Sequence, residues 1–262
     1  MTAGSGSGHD AAIGIDVRSL RPIARPESVT LARVETERMV ALLRTLVPDD
    51  WTRPTDCPAW DVRAMAGHVL GMTETFAGVR RFVATMVAGQ RAAGEGPVID
   101  GITAVQVRAN AGLSAAQLVD RIAAAGPRQA RWRGSRRLMR AIPMTEALPE
   151  GGTERWRLAF VLDTILTRDT WMHRVDIARA TEHPLELTAE HDGRIVADVV
   201  REWAGRHGRP FQLRLTGPAG GTYTGGGSAG SAERVELDAV EFCRIVSGRA
   251  PGEGLLRQRV PF

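Results

Sequence analysis

Apolar positions recur at helical spacing through the first two thirds of the chain. Residues 28–47 place Leu31, Val34, Met39, Leu42, Leu43 and Leu46 on one stripe, behind a Ser28 suited to cap the helix. Pro48-Asp49-Asp50 ends it. The loop from Trp51 to Trp60 is stiffened by Pro54 and Pro58, and its two tryptophans are expected to plug one end of the fold by burial. Asp61 is the expected cap of a second helix running to about residue 87. Gly94-Glu95-Gly96-Pro97 breaks the chain. A third helical region covers 101–140, interrupted near Gly112-Leu113-Ser114, where Ser114-Ala115-Ala116-Gln117 has the form of a capping box. Residues 143–152, with Pro149, Gly151 and Gly152, read as a loop. A fourth helix, from about residue 155 to 181, buries Leu158, Val161, Leu162, Ile165 and Leu166. Four helices joined in this way predict a bundle over residues 26–183.

The pattern changes after Glu182-His183-Pro184. Residues 189–206 form a helix with Ile195, Val196, Val199, Val200 and Trp203 on one side. Phe211 to Thr216 alternates apolar with polar, as a half-buried strand does. Thr222-Tyr223-Thr224 and Arg234-Val235-Glu236-Leu237 are further short strands, and Asp238 caps a last helix through Val246. Residues 184–262 are thus a small α+β domain, and the fold class is mainly α with an α+β C-terminal domain. Residues 1–25 are small, polar and aperiodic, so they are expected as a flexible tail in which His9 is solvated. Gly225-Gly226-Gly227 reads as a hairpin loop, because a phosphate cradle needs a strand–glycine–helix setting and a lysine.

The composition is that of a globular protein: 262 residues with a hydrophobic fraction of 43%. The formal charge is only +4 although the pI is near 10.2. The sequence contains no lysine, so all 34 basic residues are arginine and little titrates at mildly alkaline pH. Acidic residues are interspersed with the arginines, which argues against a nucleic-acid partner. Two distant cysteines, Cys57 and Cys243, make no disulfide framework and suit a reducing cytoplasm. No apolar run is long enough to span a membrane, and no signal peptide is visible.

The chemistry gathers in Arg168-Asp169-Thr170-Trp171-Met172-His173-Arg174-Val175-Asp176-Ile177. Asp169 and His173 are four apart and share one helix face, which makes half of a metal site. His68 on the second helix, flanked by Met65, Val69 and Met72, points inward and is the candidate for the other half. Two imidazoles and a carboxylate suit zinc or another divalent first-row metal, and three protein ligands leave positions open for catalysis. Asp176 stands three residues after His173, placed either to hydrogen-bond a ligand or to pair with Arg174 or Arg179. Arg80 and Arg81, farther along the second helix, are candidates for binding an anionic substrate or cofactor. Arg131, Arg133, Arg136, Arg137 and Arg140 form either a solvated face or a cationic rim. Cys57 reads as a buried small residue, with an extra ligand or a redox site as the alternatives.

Two motifs carry a resemblance to a known family. Trp51-Thr52-Arg53-Pro54-Thr55-Asp56-Cys57-Pro58-Ala59-Trp60-Asp61-Val62-Arg63, running on to Gly67-His68-Val69-Leu70, resembles the N-terminal signature of the mycothiol-dependent maleylpyruvate isomerases. Asp169-Thr170-Trp171-Met172-His173 with Asp176-Ile177 is similar to their second metal motif. The resemblance implies a DinB-like four-helix bundle followed by a sterol-carrier-like domain, with metal on His68, Asp169 and His173. The family commonly has glutamate where Asp169 stands, one methylene longer. The resemblance further implies mycothiol as cofactor, activated as a thiolate that adds to an electrophilic small molecule for cis–trans isomerisation or S-transfer. A lysine-free sequence rich in Ala, Gly and Val fits the actinobacterial source that mycothiol implies. The expected partners are the thiol and a small-molecule electrophile or anionic substrate, with no nucleic acid and no membrane, in a monomer or homodimer. The rival readings are a non-catalytic ligand-binding protein of this fold and a metal-dependent hydrolase using bound water.

Overall fold

The computed structural model describes residues 14–135, 137–147, 152–226 and 232–262. In chain order the elements are β1 (Ile15–Asp16), α1 (Arg25–Thr45), α2 (Val62–Thr75), α3 (Val79–Ala93), α4 (Val98–Asn110), α5 (Ala115–Ser135), β2 (Pro143–Ala147) and β3 (Thr153–Arg157). There follow α6 (Leu158–Phe160), a π-helical turn (Val161–Ile165), α7 (Leu166–Thr181), α8 (Arg194–His207), β4 (Phe211–Thr216), β5 (Gly221–Gly225), β6 (Glu233–Asp238) and α9 (Ala239–Ser247). The chain divides into two units. The helical unit holds Pro22–Leu187, Ser247–Ala250 and Pro261–Phe262; the α+β unit holds Thr188–Val246, Pro251–Val260 and the chain up to Arg21.

In the helical unit α1 packs on α5 and α7, and α2 packs on α5, α7 and α4. The bundle is therefore α1, α2, α5 and α7, with α3 and α4 as an added helical hairpin. The sequence predicts one long second helix, but it breaks at Phe76-Ala77-Gly78 because α3 turns off to pack on α4. That crossing depends on small residues. A Cβ on Gly101 would lie 2.1 Å from the Gly89 carbonyl oxygen, and one on Gly89 would meet Ile102 at 2.3 Å. Helix α1 starts earlier than Ser28, at Arg25, with Pro26 in its first turn and Glu27 accepting from the Ala24 N–H at 3.2 Å. Ser28 is buried instead and donates to Asp163 Oδ1 at 2.9 Å.

The expected loop at 143–152 opens with a strand, β2, and the fourth helix begins later than expected, at Leu158, because residues 153–157 form the partner strand β3. β2 and β3 pair antiparallel, Met144 opposite Trp156, and Trp156 and Glu154 alternate with exposed neighbours. Residues 148–151, including Pro149 and Gly151, lie outside the described residues. From Leu158 the chain stays helical to Thr181, keeping right-handed helical dihedrals through the π-turn. Two apolar clusters fill the unit. One holds Met39, Leu43, Trp51, Met65, Leu70 and Ile177 among others; the second holds Met72, Phe76, Trp132, Leu158, Leu162 and Leu166 among others.

The α+β unit has a four-stranded sheet in the order β1-β5-β4-β6. β4 buries Phe211, Leu213 and Leu215 and exposes or half-exposes the residues between, as its alternation predicts. Helices α8 and α9 contribute Trp203 and Phe242, whose rings stand 5.4 Å apart. β5 runs antiparallel to β4 and β6 parallel to it, so β5 and β6 flank β4 and do not pair with each other. The connection after Gly226 is thus not a hairpin loop, and residues 227–231 lie outside the described residues. The expected tail also ends sooner. Residues 1–13, with His9, lie outside the described residues, but Ile15–Asp16 pair in parallel with Tyr223–Thr224. A two-residue edge strand is too short to show as alternation in sequence.

Candidate metal centre

Asp61 starts the site. It caps α2 by accepting from the Ala64 N–H at 2.7 Å, and this fixes the turn that presents His68 two turns later. His68 is 3% exposed and His173, on α7, 4%. The two α7 residues predicted to share a face do so: His173 Nε2 lies 3.2 Å from Asp169 Oδ1. His68 Nε2 lies 3.8 Å from the same oxygen. One ligand atom from each of the three residues falls within 4.8 Å of the others. The shorter aspartate side chain therefore still reaches both imidazoles.

Trp60 lies over the pair, its ring 4.9 Å from that of His68 and 5.8 Å from that of His173. Of the two tryptophans expected to plug the bundle, Trp51 is buried in the core and Trp60 is only half-buried, beside the site. The loop between them is fixed by backbone bonds from Thr55 to Trp60 and from Val62 to Arg53.

Behind His173 stands a charged relay. His173 Nδ1 lies 3.3 Å from Asp176 Oδ2. Asp176, fully buried, accepts from Arg249 Nε at 2.8 Å and from Arg249 Nη2 at 2.8 Å. Of the two placements open to Asp176 in the sequence, it takes the one beside His173. Arg174 pairs instead with buried Glu35 at 2.6 Å, and Arg179 with Asp56 at 3.3 Å. Arg249 was invisible to sequence reasoning, because it stands 73 residues from Asp176 in a segment without a motif. Cys57 is half-buried in the same place, with Sγ 3.9 Å from Arg249 Nη2 and within 4.8 Å of ligand atoms of His173 and Asp176. Burial outweighs the Arg249 charge and pushes its thiol up to about 11, so Cys57 is a neutral thiol at neutral pH.

The protonation equilibria follow from this crowding. Burial alone would push Asp169 up, but the charges and hydrogen bonds of His173 and His68 hold it well below the ordinary carboxylate range. Burial alone would push His173 down, but Asp169 and then Asp176 more than offset it and bring the metal-free imidazole up to about 9. Asp176 is held below its ordinary value by His173 and Arg249 against the cost of burial.

This donor set fits a divalent first-row metal. Two nitrogens and one oxygen converge, and the second nitrogen of His173 is held by a carboxylate as in carboxylate–histidine–metal triads.

Arg80 and Arg81 lie elsewhere. Both are exposed on α3, Arg81 3.4 Å from Glu74, and among the described residues neither pairs with the triad. The arginine run is divided. Arg131 and Arg137 are exposed and Arg136 lies outside the described residues, but Arg133 is buried, donating to Thr167 Oγ1 at 2.9 Å and to the Leu166 carbonyl at 3.0 Å. Arg140 pairs with Asp163.

A family profile described as the mycothiol maleylpyruvate isomerase N-terminal domain matches residues 32–178, more than half of the chain. Two uncharacterized proteins from two strains of Mycobacterium tuberculosis are each 28% identical over 233 residues, which is 83% of this chain and 83% of theirs. The fold is similar to the crystal structure of a mycothiol-dependent maleylpyruvate isomerase, with a TM-score of 0.53 and 17% identity over 90% of this chain and 92% of that one. A variant of that enzyme with one histidine replaced by alanine gives the same TM-score at 16% identity. No helix among the described residues is long and apolar enough to cross a membrane.

Proposed function

This chain belongs to the mycothiol maleylpyruvate isomerase family, and on that premise we propose that it is a metal-dependent enzyme using mycothiol to modify an electrophilic small molecule. The modification is thiol addition leading to cis–trans isomerisation or S-transfer. The observation that carries the reading is the convergence of buried His68 Nε2 and His173 Nε2 on half-buried Asp169 Oδ1, with Asp176 behind His173. A divalent ion held there, zinc first among the candidates, would lower the pKa of a bound thiol so that it is present as the thiolate, the nucleophilic form.

The chain's own residues set the conditions for that step. Asp176 takes the Nδ1–H of His173, which leaves Nε2 with its lone pair toward the site. His173 and Arg249 hold Asp176 below the ordinary carboxylate range, so it is too weak a base to take the proton of an incoming thiol. Trp60 and the burial of both imidazoles limit water at the centre. Three protein ligands leave room for the sulfur of a small thiol.

Calorimetric titration of the zinc-loaded protein with mycothiol tests the reading. Binding that releases a proton, and that disappears in the metal-free protein and in His173→Ala, is the expected result. No affinity for the thiol in the loaded protein, together with hydrolysis of ester substrates in its absence, would replace this reading with a metal hydrolase.

A further inference from the structure

Nine large apolar side chains stand exposed among the described residues, and seven of them lie on three neighbouring stretches of the helical unit. Val79, Val83 and Val87 are on α3. Val98 and Ile99 open α4, and Leu138 and Ile142 come just before β2. The stretches meet. α3 and α4 cross where Gly89 touches Gly101 and Ile102. Phe82 and Met86 of α3 pack on the same apolar cluster as Met139 and Met144. Single exposed apolar residues are ordinary, but a concentration of this kind marks a contact surface.

The shape of α3 says what covers it. Val79, Val83 and Val87 follow each other at intervals of four, so they form one ridge along the helix. The adjacent ridge, Arg80, Ala84 and Ala88, is low at its two alanines. A facing ridge of the same spacing fits the groove between them, with the helix axes crossing at roughly 50°. A second copy of α3, related by a twofold axis near Val83, presents such a ridge and such a groove at once.

The charges are complementary under the same operation. α3 carries three arginines and no acid. Arg81 faces Glu74 at 3.4 Å, but Arg80 makes no ion pair among the described residues. Acids collect at the other end of the face. Glu146 stands opposite Glu154 across the β2–β3 hairpin, and burial and then the charge of nearby Asp100 push the Glu146 carboxyl above its ordinary value. Among the described residues no cation pairs with Asp100 or Glu146. The twofold axis turns α3 end for end and carries Arg80 of one copy toward Asp100 of the other. An anionic lipid surface would meet these acids instead, and like charges oppose that contact.

We propose that the α3 face, centred on Val83, is the interface of a homodimer in which Arg80 of each copy pairs with Asp100 of the other. No residue of this face belongs to the metal triad, so association needs no metal.

Analytical ultracentrifugation of the full chain tests it. The wild type should sediment as a dimer at micromolar concentration. Val83→Glu, at a side chain 52% exposed, should be monomeric with an unchanged circular dichroism spectrum. Val47→Glu, at an exposed valine elsewhere on the unit, should leave the dimer intact. Arg80→Glu and Asp100→Arg should each weaken dimerisation about tenfold or more, and the double variant should regain most of the lost affinity. Loss of solubility or of folding would not produce that recovery. A wild type that is monomeric would overturn the proposal, including one that instead sediments with phosphatidylglycerol vesicles. A dimer untouched by Val83→Glu, a dimer lost equally in Val47→Glu, or additive losses in the double variant would overturn it as well.

Discussion

His173 and His68 present the same ring nitrogen to Asp169, yet they are held by different means. His173 is set by charge: Arg249 fixes Asp176, Asp176 accepts from Nδ1–H, and Nε2 faces Asp169 with a proton that an incoming metal would displace. His68 is set by packing. Trp60 covers its ring, and among the described residues its Nδ1 has no hydrogen-bond partner. Its Nε2 also stands farther from the shared carboxylate, at 3.8 Å against 3.2 Å. The difference teaches that one arm of the cluster is oriented by charge and the other by packing.

The comparison can be broken at its strongest point first. Asp176→Asn removes the charge that orients His173 and frees Arg249, so metal affinity should fall by about tenfold to a hundredfold in competition with a chromogenic chelator. An unchanged affinity would mean that His173 needs no preorganisation.

A pH series sharpens the same contrast. The folded, metal-free His173 titrates near 9, above its ordinary value of about 6.5. Its proton therefore stabilises the metal-free fold fully below about pH 6.5, and that contribution disappears as pH rises through about 9. Metal must displace the same proton, so affinity should climb about tenfold per pH unit across that window and level off above it. In Asp176→Asn the plateau should begin at lower pH. A flat profile in the wild type would show that His173 is already neutral.

The smallest effect is expected at the packed arm. Trp60→Leu removes a ring contact worth about 0.5–1.5 kcal/mol, so metal affinity should weaken by less than about tenfold. A loss as large as that of Asp176→Asn would show that packing, not charge, organises the centre.

The triad was legible because helical geometry turns a spacing of four into a shared face, and because His68 sits in an apolar stripe. The bundle was legible for the same reason, from periodicity at α1, α2, α5 and α7. What lay outside the reach of the sequence is long-range. Nothing local joins Arg249 to Asp176, and nothing distinguishes Arg133, buried against Thr167, from its exposed neighbours Arg131 and Arg137. The break after Thr75 is tertiary, set by the Gly89 and Gly101 crossing. The hairpin at β2 and β3 was hidden because its strands are five residues each and one begins with proline. The paired roles open to Asp176 divided on which arginine reached it, and Arg174 was already committed to Glu35.

The most direct measurement is elemental analysis of the protein purified without chelator, beside His68→Ala and His173→Ala. The account predicts about one zinc or similar divalent ion per wild-type chain and none in either variant, with both variants folded by circular dichroism. A wild type that stays metal-free after reconstitution, or a His68→Ala protein that keeps its metal, would contradict it.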